Sequence, residues 1–334
     1  MIKKTTALLC KSLSEGFEGI SLETLSLPKL KETDILINVK ASSVNFPDLL
    51  MSQGKYQHKP KLPFVLGMEG AGIIIEKGNL VSKFKVGDEV CFGSWGNGTF
   101  SQHVIVPEEN ARLKPNTLSF IEASAFQTAF LTAYVALIRL GKLKKNETLL
   151  VHGATGGVGM AAVQLGAHIG ANVIATGTSK HKLETTLEWG ANQIVVTSQD
   201  NHVSFREEIK NLTEGKGADV IYDPIGGDIF DESLRCINWG GRILVIGFAG
   251  GRIPNVPVNI PLIKGFSVVG VRAGEFGRKD PKKGLENLEE IYKLANENIL
   301  KPYICKIFSL EDGLEALKFM NERKVIGKVV ICMD

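Results

Sequence analysis

The chain has 334 residues, enough for two domains with substantial cores, and its 44% hydrophobic content marks it as globular rather than disordered. A net charge of +3, with no basic tract, gives no general reason to expect nucleic acid or a membrane surface as a partner. Five cysteines without C-x-x-C spacing, odd in number, argue against a disulfide framework and for a reducing, cytoplasmic setting.

The first ten residues carry lysines and only a short apolar run before Lys11 and Glu15, a poor match to a signal peptide. Residues up to about 125 read mostly as strand and turn. Asp34–Lys40 alternates like a half-buried strand, and 70–76, 86–90 and 100–106 are further strand segments, the last closed by Pro107. Residues 126–138 have helical length and mostly apolar character.

Strands are then expected at 148–153, 171–176, 193–197, 218–223, 242–247 and 266–271. Helices are expected at 158–169, 180–189, 202–213 and 228–238. This alternation predicts an α/β fold with a doubly wound parallel sheet. Residues 149–179 contain no Asp, Glu, Lys or Arg, but the glycines and polar residues among them fit a buried parallel βαβ unit better than a membrane span. Helices at 281–298 and 310–323 and a closing strand at 327–331 complete the pattern. The expected division is 1–125 as a β-rich catalytic domain, 126–270 as a nucleotide domain, and 271–334 as a segment returning to the first. The active site is expected in the cleft between them, at the carboxyl ends of the parallel strands.

The most informative stretch is Thr148–Met160, where an apolar run ends in Gly153, Gly156, Gly157 and Gly159 before a helix. Glycines let a diphosphate approach the backbone, and the helix start offers N–H donors and a positive dipole end. The G-x-x-G-G-x-G spacing alone is weak, but the strand after it makes a βαβ unit of the right size for a dinucleotide. Gly156, Gly157 and Val158 are the expected phosphate contacts. At the end of the second strand, Thr176–Lys182 has no acid to accept from a ribose hydroxyl. Ser179, Lys180 and Lys182 supply a hydroxyl and two ammonium groups, which suit a 2′-phosphate and therefore NADP(H) over NAD(H). A solvated helix start with Ser179 as its cap is the alternative.

Five segments together carry a resemblance over nearly the whole chain: Ser43–Leu50, Leu62–Gly72, Phe84–Val90, Leu149–Gly159 and Gly327–Val330. The chain resembles the medium-chain dehydrogenase/reductase superfamily and, within it, the zinc-free NADPH:quinone oxidoreductases, of zeta-crystallin type. The resemblance implies a GroES-like catalytic domain, a Rossmann domain and a homodimer. Zinc relatives carry a G-H-E motif whose His binds metal, where this chain has Gly67-Met68-Glu69. The Cys ligand expected near Ser43–Asn45 is also missing, and the structural four-cysteine lobe is reduced to Cys91. No grouping of His and Cys remains for a tetrahedral site, so no metal is expected.

Without a Lewis acid, hydride acceptors that delocalise charge are favoured: a quinone or an enone. An enoyl-thioester acceptor, or a cofactor-binding role without catalysis, are the competing readings. By resemblance, Asn45 lies near the nicotinamide ribose and the acceptor carbonyl, with its amide donating to developing charge. A plain turn Asn is the other reading. Tyr56, in Gly54-Lys55-Tyr56, either lines the pocket and donates a proton or only packs. Thr128, the Gly247-Phe248-Ala249 segment, Val271 and Lys328 complete the cofactor contacts that the resemblance implies. The charged segment from Val271 to Pro281, with Arg272, Arg278 and Lys279, is either a contact for an acidic group or a solvated loop.

Overall fold

The computed structural model describes residues 2–94, 98–197 and 205–333. The chain forms two compact units. Unit 1 runs to Thr128 and resumes at Lys301; unit 2 is Ala129–Leu300.

Unit 1 opens with strands β1 (Lys4–Cys10), β2 (Ile20–Ser26) and β3 (Asp34–Val44) and helix α1 (Phe46–Ser52). Strands β4 (Phe64–Val65), β5 (Glu69–Lys77), β6 (Glu89–Gly93), β7 (His103–Pro107) and β8 (Ala111–Leu113) follow, then helix α2 (Phe120–Ser124). β3 is longer and more buried than the alternation of 34–40 implied. It pairs with both β5 and β7, so Ile35, Leu36, Ile37 and Val39 are all enclosed. Side chains on both faces of a central strand lose water, which is why the apolar run is nearly continuous here.

Helix α3 (Gln127–Tyr134) ends in a π-helical turn at Val135–Leu140. Unit 2 then alternates: β9 (Thr148–Val151), α4 (Gly157–Ile169), β10 (Asn172–Gly177), α5 (Lys180–Glu188), β11 (Gln193–Val196), α6 (Phe205–Leu212), β12 (Ala218–Asp223), α7 (Gly227–Cys236), β13 (Ile237–Val245), α8 (Asn259–Lys264), β14 (Ser267–Gly270), α9 (Ala273–Lys279) and α10 (Pro281–Asn296). The first three residues of the helix expected at 202–213 lie outside the described residues. The six strands are parallel, in the order β11-β10-β9-β12-β13-β14. That is the 3-2-1-4-5-6 order of a dinucleotide-binding doubly wound sheet. Leu150, Ile174, Val195, Ile221 and Ile243 line one face of it and pack with Phe205 and Ile209 of α6 and Phe230 and Leu234 of α7.

The chain returns to unit 1 at Lys301, so residues 271–300, grouped above with the return segment, belong to unit 2. Arg139, in the π-helical turn, anchors them there by donating to Asn287 Oδ1 (2.6 Å) and Glu286 Oε2 (3.0 Å) on α10. Strand β15 (Ile304–Ser309), helix α11 (Gly313–Asn321) and strand β16 (Lys328–Cys332) finish the fold. β16 lies antiparallel to β3, with Val330 opposite Ser43 and Val329 opposite Val44. Unit 1 is thus a β-rich GroES-like fold and unit 2 a Rossmann fold. No helix among the described residues is long and apolar enough to cross a membrane.

Candidate functional site

In unit 2 the carboxyl ends of β9, β10, β12, β13 and β14 fall on one edge of the sheet, because all are parallel. β9 leads through His152 into the glycine turn. Gly153 has a positive φ of 55°, and a Cβ at Gly159 would lie 2.3 Å from the Gly153 carbonyl oxygen. These two glycines are required by the protein itself. Gly156 is different: it precedes α4 with φ of −82°, and its Cβ would meet nothing nearer than 3.4 Å. No side chain caps α4, so the N–H groups of its first turn, including those of Gly157 and Val158, face outward. A helix start left open beside a glycine with no internal reason to be one fits a diphosphate.

The same holds after β13, where a Cβ at Gly247 would touch only the Pro224 carbonyl oxygen at 3.5 Å. Phe248 beside it is partly exposed, and the Ala249 N–H donates to Pro224 O (3.0 Å). Val271 follows β14 on this edge, its N–H donating to Val245 O (2.9 Å). After β10, Ser179 precedes α5 without its side chain capping the helix, and Lys180 and Lys182 lie in the first turn. The edge therefore brings together Gly156, Gly157, Val158, Ser179, Lys182, Gly247, Phe248, Ala249 and Val271.

The segment after β14 is helical rather than a loop. Glu275 of α9 pairs with Arg278 (2.8 Å) and lies at longer range from Arg272 (3.8 Å) and Lys279 (4.0 Å), so one carboxylate offsets part of the charge of three exposed cations.

Unit 1 contains a second, buried cluster. β3 ends in Ser43 and Val44, and Asn45 begins α1, with its backbone N–H donating to Asp48 Oδ2 (2.8 Å). The Asn45 side chain is not free. Its Oδ1 accepts from Lys328 Nζ (2.6 Å), and its Nδ2 donates to Glu69 Oε1 (3.1 Å) and, at longer range, to Ser43 O and Oγ (3.3 and 3.4 Å). Lys328, the first residue of β16, also donates to Glu69 Oε1 (3.1 Å). The Ser43 hydroxyl donates to the same oxygen (2.7 Å), and the Thr128 N–H donates to Oε2 (2.8 Å).

Glu69 is 2% and Lys328 4% exposed. Burial alone would push the Glu69 carboxyl up. The Lys328 ammonium and the Thr128, Ser43 and Asn45 hydrogen bonds outweigh it, and the group is held below its ordinary range, ionised. Asp48 goes the other way. Burial dominates the weaker pull of the Asn45 N–H and of Lys328, and its carboxyl is pushed up to about 7.

Asn45, Thr128 and Lys328 are therefore brought together in one unit. Tyr56 is half-buried and packs against the unit 1 core. Ser43 and Glu69 are the members that sequence reasoning did not name as site residues. The signal was present in Gly67-Met68-Glu69, where attention went to the position of Met68, which is buried in the core. Among the described residues no three His, Cys, Asp or Glu side chains gather in a way that would hold a metal ion.

A surface cavity of about 270 Å³ lies elsewhere, lined by Lys210, Lys216, Arg235 and Lys264 near the starts of β12 and β13. It is at the opposite sheet edge from the glycine turn. Lys210 and Arg235 sit in the last turns of α6 and α7, and Lys264 Nζ donates to Leu234 O (2.8 Å). These cations answer the negative ends of two helices and need no ligand to account for them.

The family described as "Alcohol dehydrogenase GroES-like domain" matches residues 31–116, and that described as "Zinc-binding dehydrogenase" matches 157–290. Quinone oxidoreductase-like protein 2 homolog of Nematostella vectensis is 35% identical over 331 residues, covering 98% of this chain and 89% of the relative. Mycoketide-CoA synthase of Mycobacterium tuberculosis is 31% identical over 320 residues, 95% of this chain but 7% of that much longer protein. A mycobacterial protein solved in complex with NADPH superposes with a TM-score of 0.89 at 25% identity, covering 98% of this chain and all of that one.

Proposed function

The chain belongs to the quinone oxidoreductase-like family of the medium-chain dehydrogenase/reductase superfamily, and on that premise we propose that it is one of the zinc-free members, an NADPH-dependent reductase of quinones or other conjugated carbonyls. One observation carries the cofactor part. Gly156 and Gly247 stand at the carboxyl edge of the sheet with no internal contact that needs a glycine, beside an uncapped helix and an acid-free strand end. The diphosphate is assigned to Gly156, Gly157 and Val158, and the 2′-phosphate to Ser179 and Lys182. The remaining cofactor contacts are assigned to Gly247, Phe248, Ala249, Val271, Thr128, Asn45 and Lys328.

The donor set supports zinc independence. A catalytic zinc site takes thiolate, imidazole or carboxylate ligands. Here the relevant positions hold Met68, Ser43 and Asn45; of the two carboxyl groups nearby, Glu69 is already paired with an ammonium at 3.1 Å, and Asp48 is buried and bonded to the Asn45 N–H. A second cation at that place would be repelled by Lys328.

NADPH, when bound, supplies the hydride. The chain's own contribution is to orient the acceptor and to meet the charge that develops on its carbonyl oxygen. Asn45 is assigned this contact. One of its N–H groups is fixed to Glu69, while the other makes only long contacts to Ser43, beyond the usual 2.7–3.2 Å, and is the one left to meet a stronger acceptor. Tyr56 is assigned to the acceptor pocket, as proton donor or as packing. Five cysteines, odd in number and without C-x-x-C spacing, suit a reducing compartment, in keeping with a cytoplasmic enzyme.

The test is NADPH oxidation against a panel of quinones, enones and enoyl thioesters. Turnover of a quinone or enone is the expected result. Turnover of the enoyl thioester alone supports the second reading, which the similarity to a segment of Mycoketide-CoA synthase favours, and turnover of none leaves a cofactor-binding protein. Lys182→Ala should weaken NADPH binding by roughly 10- to 100-fold, the scale of one charged contact to phosphate, and leave NADH binding nearly unchanged. Equal loss for both would remove the 2′-phosphate assignment.

A further inference from the structure

We infer that Lys328 is the working charge of this site: through the Asn45 amide it stabilises the oxyanion formed on the acceptor, and Glu69 is the residue that positions it. The inference rests on the reductase reading above and changes the part Lys328 plays in it, from a contact for the cofactor to the electrostatic partner of the reaction.

The argument begins with the cost of the arrangement. An ammonium enclosed in a protein needs a counter-charge and hydrogen bonds, and even a well-made buried pair is often no more stable than apolar side chains of the same volume. Val330, two residues on and on the same face of β16, is fully buried among Ala41, Ala125 and Phe120. Lys328 answers the buried Glu69 carboxylate, so it is the pair as a whole, and not the lysine by itself, that packing does not call for.

The second step is the direction of the bonds. Lys328 Nζ donates to the carbonyl oxygen of the Asn45 amide at 2.6 Å, the shortest contact in the cluster. A cation on that oxygen draws electron density out of the amide and makes its N–H groups stronger donors, as chained hydrogen bonds do in a low-dielectric interior. It also fixes which end of the amide is which: oxygen toward Lys328, nitrogen toward Glu69 and Ser43. The positive end of the Asn45 amide is thereby set by its neighbours before any acceptor arrives.

The third step is Glu69. One of its oxygens is tied to the Thr128 backbone, and the other receives Ser43, Asn45 and Lys328 together. Those bonds hold the lysine and the amide in one register although they come from strands far apart in sequence. Glu69 reaches no acceptor in this scheme; it acts through Lys328 and Asn45.

The chemistry balances without a further reagent. With NADPH bound, its hydride would form the new C–H bond at the conjugated carbon and leave NADP+, while the π bond breaks and its electron pair passes to the carbonyl oxygen. The Asn45 N–H, backed by the Lys328 charge, holds that oxyanion. A proton from solvent then completes the reduced product. Lys328 keeps its protons throughout.

The test separates this role from cofactor binding. Lys328→Met keeps the length of the side chain and removes the charge; Lys328→Gln stands in if the Met variant does not fold. Three quantities are read: the Kd for NADPH by fluorescence titration, the single-turnover rate of hydride transfer, and the ionisation of 4-nitrophenol bound to the NADP+-loaded protein, followed by its absorbance. The phenolate stands in for the oxyanion. Wild-type protein should bind it as the anion and lower its apparent pKa. The uncharged variants should lose that shift and roughly 10- to 100-fold in rate, somewhat less than for a direct oxyanion donor, with NADPH affinity changed less than threefold.

Glu69→Gln should keep the ionised phenol, because the lysine charge remains, while the rate falls by more than NADPH affinity does; loss of the phenolate, or equal loss of rate and affinity, would remove the positioning role. Parallel loss of rate and NADPH affinity in Lys328→Met makes the lysine a cofactor contact and overturns the inference. So does a 4-nitrophenol that fails to bind, or ionises equally in wild type and Lys328→Met. Failure of wild type to reduce any conjugated acceptor removes the reductase reading instead, and the phenol ionisation still decides whether Lys328 acts as a charge on a bound oxyanion.

Discussion

Asp48 and His152 are both fully buried, one in each unit, and burial shifts them in opposite directions. The Asp48 carboxyl, ordinarily near 3.8, is pushed up to about 7. The folded form therefore holds a proton that the unfolded form has released, and unit 1 loses stability as pH rises from about 4 to about 7. Asp48→Asn keeps an acceptor for the Asn45 N–H and removes the buried charge. It should stabilise unit 1 by roughly 1–3 kcal/mol at pH 8 and by much less at pH 5, read by hydrogen exchange of the β3 and α1 amides. An equal effect at both pH values would show that Asp48 does not titrate in the folded chain.

His152 works the other way. Burial lowers it from 6.5 to about 3, and its ring is held between the Thr176 hydroxyl (2.7 Å) and the Ser233 hydroxyl (2.8 Å). The unfolded form takes the extra proton, so unit 2 loses stability as pH falls below about 6.5, at up to about 1.4 kcal/mol per pH unit. His152→Gln should cost stability at pH 8 and progressively less as the medium is acidified. A constant difference across that range would assign the acid sensitivity elsewhere.

Neither shift is visible in the sequence, because each comes from enclosure by residues far along the chain. The same is true of Glu69, whose partners Thr128 and Lys328 are 59 and 259 positions away.

At the scale of elements, legibility followed how much each segment depends on its neighbours. The inner strands of unit 2, β9, β10, β12 and β13, are short apolar runs ending at or near a glycine, and a parallel strand buried on both faces looks like that whatever surrounds it. β13 was the partial exception. It starts at Ile237, before the glycine pair, with an irregular register against β12 between Ala218 and Val220. Helix α1 was missed because seven residues give too little periodicity, and Phe46-Pro47-Asp48 reads as a turn.

The glycine turn separates two roles that the sequence pattern merges. Gly159→Ala would place a methyl 2.3 Å from the Gly153 carbonyl oxygen, and the backbone of the turn cannot yield as a side chain would. It should destabilise unit 2 by about 1–3 kcal/mol. Gly156→Ala meets only an ordinary contact at 3.4 Å. It should leave thermal stability nearly unchanged and weaken NADPH binding at least tenfold by standing where the diphosphate lies. If Gly156→Ala binds NADPH like wild type, the phosphate site is not at this turn.

At the scale of the whole molecule, the sheet of unit 2 ends in a strand that has no partner on its outer side among the described residues. β14 is the last in the order and mostly exposed, and α8 before it carries Leu262 at 81% and Ile263 at 71% exposure, with Val258 at 83%. Trp239 adds another exposed face, its ring lying against Gly265 between α8 and β14. An open strand edge beside an apolar surface is an aggregation hazard in a lone chain. It is a self-complementary patch if a second copy meets it through a two-fold axis, edge strand against edge strand and helix against helix.

We therefore expect a homodimer built on β14 and α8. The chain of 36.3 kDa should sediment at about twice that mass. Leu262→Lys with Ile263→Lys would place four charges in the paired apolar patch, two from each copy, and should shift the protein to monomer with NADPH affinity retained, since neither side chain is among the assigned cofactor contacts. A wild-type monomer, or a dimer that survives the double substitution, would mean that this edge is covered in some other way.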